Sequence, residues 1–133
     1  MIYAVIDTNV IVSAFITRHH DASTVKVLRH VISYDITPMY DEDILDEYRR
    51  VLSRKKFKIK ADVIDSLIEM FLDQGIQMGR TPFAESMPDE SDRVFYEISL
   101  SKDDSFLVTG NLKHYPVSTK VISPSDFVNM FGF

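Results

Sequence analysis

The 133-residue sequence has no cysteine, which rules out disulfide frameworks, thiolate zinc sites and cysteine nucleophiles. Four glycines and five prolines are too few for extended low-complexity disorder. No apolar run approaches the roughly 18 residues that a membrane helix needs. The opening stretch, Met1 to Asp7, is too short and lacks the basic leader of a signal peptide. These absences lead to the expectation of a cytoplasmic protein without a membrane partner. Positive charge is the scarcer sign: 15 Lys plus Arg face 20 Asp plus Glu, a net charge of −5. That balance argues against a non-specific clamp on nucleic acid. It does not argue against an enzyme whose carboxylates hold cations, because a bound ion reverses the local sign.

What is present fits one domain spanning residues 1–133. Hydrophobic content of 45% and charged content of 26% are ordinary for a globular chain. A chain of this size buries enough surface for a core without covalent staples. Residues 2–6 (Ile-Tyr-Ala-Val-Ile) read as a strand buried on both faces. Further strands are expected at 36–39, 105–108 and 120–122. Between them fall helical patterns. The first runs from Val10 to Ile16, and a second carries Val25, Leu28, Val31 and Ile32 with Asp21 or Ser23 as its cap. A third, capped near Asp41, carries Ile44, Leu45, Tyr48, Val51 and Leu52 on one face. The fourth spans 60–73 and stops at Gly75, a fifth spans 89–101, and a last helix begins at Ser123-Pro124. Alternating strands and helices predict a three-layer α/β/α domain with a mainly parallel sheet of four to five strands. In such sheets ligands bind beyond the carboxyl ends of the strands, at the topological switch point.

Acidic residues gather at those positions. Asp7 follows the first strand directly, where it also suits a helix N-cap, and Asn9 stands two residues on, placed to steady it. Glu47 lies at the border of the third helix's apolar stripe, between Ile44 and Val51, so it leans toward the sheet. Asp89 and Asp92 open the fifth helix, where the helix dipole also favours acids. Thr109-Gly110-Asn111 ends the strand at 105–108. Each position has an ordinary local explanation, but together they put several carboxylates at one edge. Carboxylates brought together repel unless a cation neutralises them. Oxygen-rich sites of this kind suit Mg²⁺ or Mn²⁺ and the chemistry of phosphate esters.

Asp7-Thr8-Asn9-Val10, Glu47, Asp89-x-x-Asp92, Val108-Thr109-Gly110-Asn111 and the ending Val121 to Phe127 together resemble the PIN domain family, in particular toxins of toxin–antitoxin pairs. The resemblance covers nearly the whole chain. It implies a Mg²⁺- or Mn²⁺-dependent ribonuclease acting on RNA, with an antitoxin protein as partner and a homodimer as its assembly. Carried over by position, Asp7, Glu47 and Asp92 match the catalytic acids. Asp89 and Asn111 are further metal-binding residues, Thr109 and Asn9 support the site, and Asn111 stands where the family usually has Asp. Asn keeps an oxygen acceptor but loses a charge, so a second cation is expected to be held more weakly.

Seven of the fifteen basic residues lie at Arg49, Arg50, Arg54, Lys55, Lys56, Lys58 and Lys60. They read either as a solvated helix end or as a rail for the RNA backbone, with Arg50, Arg54, Lys55, Lys56, Lys58 and Lys113 as the RNA-binding set. Phe57 could stack a base but is more often expected to cover core, and Lys113-His114 to form a solvated loop that could touch phosphate. Arg18-His19-His20 offers a second edge to such a groove, without the further spaced ligands that zinc would need. Asp103-Asp104 precede a strand and belong at the opposite end of the sheet. Two other functions compete. Aspartyl-phosphate chemistry lacks its second acid, since Asp7-Thr8-Asn9 is not Asp-x-Asp. A catalytically weakened PIN-like domain that binds RNA or a protein partner is favoured by Asn111.

Overall fold

The computed structural model describes all residues, Met1–Phe133. Five strands form one parallel sheet in the order β3-β2-β1-β4-β5. They are β1 (Ile2–Ile6), β2 (Ile36–Tyr40), β3 (Ile76–Gln77), β4 (Ser105–Val108) and β5 (Val121–Ile122). β1 is central. It pairs with β2 through Ile2–Ile36 and with β4 through Ile6–Val108. Ala4, Val5 and Ile6 are fully buried, as a strand covered on both faces requires. Strand order reverses between β1 and β4, which puts the switch point just beyond Ile6 and Val108. β3 is missing from the four strands read from sequence, because two residues carry no periodicity.

Six helices flank the sheet: α1 (Thr8–Ile16), α2 (Ser23–Ile32), α3 (Glu42–Leu52), α4 (Ala61–Gln74), α5 (Arg93–Leu100) and α6 (Pro124–Phe131). α2 packs on β2 and is flanked by α1 and α6, whereas α5 packs across β1, β2 and β4. Asp7 caps α1 by accepting from the Asn9 amide, and Asp41 caps α3 by accepting from the Ile44 amide. Ser123 caps α6 ahead of Pro124. α2 departs from expectation: Ala22 occupies its N-cap, and neither Asp21 nor Ser23 does. The fifth helix also starts late. Glu90–Asp92 forms a 3₁₀ turn and the α-helix begins at Arg93. The core is one cluster of thirty buried apolar residues centred on Tyr48, Phe71, Phe95 and Phe127.

Gly75 marks a close approach rather than a left-handed turn. A Cβ there would lie 2.6 Å from the carbonyl oxygens of both Phe71 and Pro38. It lets the end of α4 press against β2 before β3 begins. Gly75→Ala is expected to destabilise the fold by about 1–3 kcal/mol, the usual cost of overpacking. Gly79→Ala, whose Cβ meets nothing, should stay within ~0.5 kcal/mol of wild type. Urea midpoints of the two variants check this.

Candidate active site

Asp7 is 2% exposed, at the carboxyl end of the central strand. Its Oδ2 accepts two hydroxyls, from Thr109 at 2.8 Å and from Tyr115 at 3.0 Å. Its Oδ1 accepts the Asn9 amide at 3.1 Å. Asn9 therefore steadies Asp7 through its backbone rather than its side chain. Thr109 sits fully buried after β4, and its Oγ1 also accepts the Asn111 amide at 3.0 Å. Asn111 thus contributes through its main chain and does not line the cleft. Beyond it, a 3₁₀ turn at Leu112–His114 brings Tyr115 inward.

Glu47 faces the sheet from α3, its side chain 19% exposed. It accepts a hydrogen bond from the Thr8 hydroxyl and stands 3.7 Å from the Arg50 guanidinium. Burial raises its pKa and so does Asp7 nearby; Thr8, Arg50 and Arg54 pull it down. Asp92 ends the 3₁₀ turn with its side chain 13% exposed, and His114 Nδ1 lies 3.0 Å from its Oδ2. Burial, followed by the charge of Asp7, pushes Asp92 up to about 6; the hydrogen bond with His114 works in the other direction. Asp89 is more open and is held low by the hydroxyl and amide of Ser91. Burial and the adjacent carboxylates raise the phenols of Tyr48 and Tyr115, so both remain protonated donors.

The segment before Asp89 is strapped to α5. Buried Glu97 takes the Arg80 guanidinium at 2.8 Å and the Phe83 amide at 2.8 Å. Arg93 grips the carbonyls of Phe83 and Glu85 at 2.6 and 2.9 Å. The amide of Phe83 is the main cause of Glu97's lowered pKa.

Together Asp7, Thr8, Asn9, Glu47, Asp89, Asp92 and His114 line a cleft of about 300 Å³, with Arg50 and Arg54 on its rim. The four carboxylates outnumber the cations facing them, and the charge of Asp7 adds to the burial that raises Asp92 to about 6. Carboxylate oxygens lining one cleft are the donors a hard divalent cation takes. Donor atoms of Asp89, Asp92 and His114 lie within 4.8 Å of one another, which supports that fit.

Other expected residues fall elsewhere. Lys55 and Lys56 are exposed on a 3₁₀ turn after α3, Lys58 follows it, and Lys113 is exposed near the cleft. Phe57 packs partly against the core, with Lys56 Nζ 5.1 Å from its ring. Arg18, His19 and His20 are exposed and do not line the cleft. Asp103 and Asp104 sit beside Met1 and Ile2, at the other end of the sheet. Sequence reasoning did not find Thr8 or Tyr115, and it assigned His114 to a solvated loop. Their nearness in sequence to Asp7 and to the Thr109–Asn111 turn was the one signal available.

Fold and cleft define an α/β/α domain with a carboxylate-lined switch point. A PIN domain model matches residues 3–113, and the chain belongs to that family. PIN domains are generally nucleases, and they usually use divalent metal ions. Comparisons with curated proteins and with solved structures give no match. No helix is long and apolar enough to cross a membrane.

The acid cluster strains the metal-free protein. An unfolded aspartate titrates near 4, so the folded state holds the Asp92 proton more tightly than the unfolded state does. Asp92 therefore favours folding below pH ~4, and that contribution is lost as pH rises through about 6. Asp92→Asn is expected to stabilise EDTA-treated protein at pH 7 by on the order of 2 kcal/mol, at ~1.4 kcal/mol per pKa unit. The gain should shrink toward zero at pH 4. Thermal melts of both proteins across this range measure it, and a difference independent of pH would contradict it.

Proposed function

We propose that this chain is a Mg²⁺- or Mn²⁺-dependent endoribonuclease that hydrolyses RNA phosphodiester bonds, acting as the toxin of a toxin–antitoxin pair in the cytoplasm. The observation that carries this reading is the convergence of Asp7, Glu47, Asp89 and Asp92 at the switch point with Arg50 and Arg54 at the rim. The four acids would hold the cation, with Asp7, Glu47 and Asp92 as the catalytic set. When bound, such an ion polarises a phosphoryl oxygen and lowers the pKa of a water. The protein's own groups do the rest. Thr109, Tyr115 and Asn9 fix the Asp7 carboxylate, and Thr8 fixes Glu47. Arg50 and Arg54 offer planar, permanently charged donors to phosphate beside the acids. Lys55, Lys56, Lys58 and Lys113 extend that charge along the surface, which gives salt-dependent RNA binding.

An apolar groove of about 200 Å³ supports a protein partner, either an antitoxin or a second copy. Phe15, Leu28, Ile32, Val63, Leu67 and Met70 line it. Light scattering is expected to give a homodimer of twice the 15.3 kDa chain mass.

A second reading, a PIN domain that binds RNA or a partner without cleaving, is favoured by Asn111, whose side chain supplies no acid and does not line the cleft. A structured RNA pool incubated with Mn²⁺, Mg²⁺ or EDTA separates the two. Cleavage is expected from wild type with either metal, abolished by EDTA. Asp92→Asn, purified side by side, should lose at least ~100-fold in rate, as expected for loss of a group central to the chemistry. Tight RNA binding without cleavage, in folded wild type under every metal condition, would give the second reading.

A further inference from the structure

His114 is the one imidazole lining the acidic cleft. Its Nδ1 stands 3.0 Å from Asp92 Oδ2 and 3.6 Å from Asp89 Oδ2. Neighbouring ligands on a first-row cation, each about 2.0–2.2 Å from it, sit roughly 3 Å apart or slightly more. His114 Nδ1 thus already stands near the spacing of an adjoining ligand from both carboxylates, and the donor atoms of all three side chains lie within 4.8 Å of one another. Placement of His114 is also well determined. On one side Asn111 is tied to Thr109, and the His114 amide bonds to the Asn111 carbonyl at 2.9 Å. On the other, buried Tyr115 is tied to Asp7. The ring is half-buried with its edge toward the acids, unlike exposed Lys113 beside it.

An all-oxygen site favours hard ions such as Mg²⁺, which takes carboxylates and waters and dehydrates reluctantly. Imidazole is the commonest side-chain ligand of transition metals. We propose that His114 is a direct ligand of the cation held by Asp89 and Asp92, and that it gives the site a preference for Mn²⁺ over Mg²⁺. The inference rests on the reading of the cleft as a divalent-cation site. It also gives the Thr109–Tyr115 segment a donor to the ion in place of the acid absent at Asn111.

Pulsed electron paramagnetic resonance on the Mn²⁺-loaded full chain tests it directly. Wild type is expected to show modulation from a directly coordinated ¹⁴N, and His114→Asn to lack it. That variant also controls for His19, His20 and His30. Calorimetric titration should show Mn²⁺ affinity falling about tenfold or more in His114→Asn, within the range for disrupted metal shells. Mg²⁺ affinity should change by less than about threefold, and thermal melts would establish that the variant is folded. Wild type that binds Mn²⁺ without nitrogen coupling, or an equal loss for both ions, would overturn the inference and leave the nuclease reading standing. Wild type that binds no Mn²⁺ would overturn both.

Discussion

A buried carboxylate at the end of the central strand is the constraint around which this structure is arranged. Asp7 is almost wholly out of water, and an ionised acid is costly there unless donors surround it. Those donors come from both sides of the switch point. Asn9 belongs to the helix after β1, whereas Thr109 and Tyr115 follow β4. Pairing of β1 with β4 through Ile6 and Val108 brings the two groups together. One side chain therefore caps a helix, ties two strand ends and orients the 3₁₀ turn that carries His114.

The remaining acids are held less completely. Glu47 has Thr8 and a distant Arg50; Asp92 has His114. Burial, with the charge of Asp7 adding to it, raises both pKa values further than these partners lower them. Strain of this kind is common at functional sites, where groups are arranged for a ligand rather than for the free protein. The contrast with Glu97 is instructive. That carboxylate is even less exposed but is answered by Arg80, Arg93 and an amide, its pKa is lowered, and it serves to fasten a loop.

Much of this was legible in the sequence because it is local. The apolar run of β1, the stripe through Ile44, Tyr48 and Val51, and the caps at Asp7, Asp41 and Ser123 all depend on neighbours within a turn or two. The switch-point rule then turned that local reading into a place for the site, and Asp7, Glu47, Asp89 and Asp92 do meet there. The rest depends on distant partners. Tyr115 meets Asp7 across 108 positions, and Thr8 meets Glu47 across 39. No spacing rule links such pairs. His114 looked like solvated loop because only the folded turn shows which way its ring faces. Asn111 looked like a site side chain because its motif position was clear, while its actual contribution is a backbone amide.

The parallel topology also orders events during synthesis. Asp7 leaves the ribosome 102 residues ahead of Thr109 and 108 ahead of Tyr115, the two that complete its surroundings. β1 must wait for β4 before its edge is filled, and α5, which covers both, is made just ahead of β4. A nascent chain halted after α4 would hold two of the four acids and neither of the hydroxyls that orient Asp7. The complete cleft therefore forms only once the chain through Tyr115 has been made.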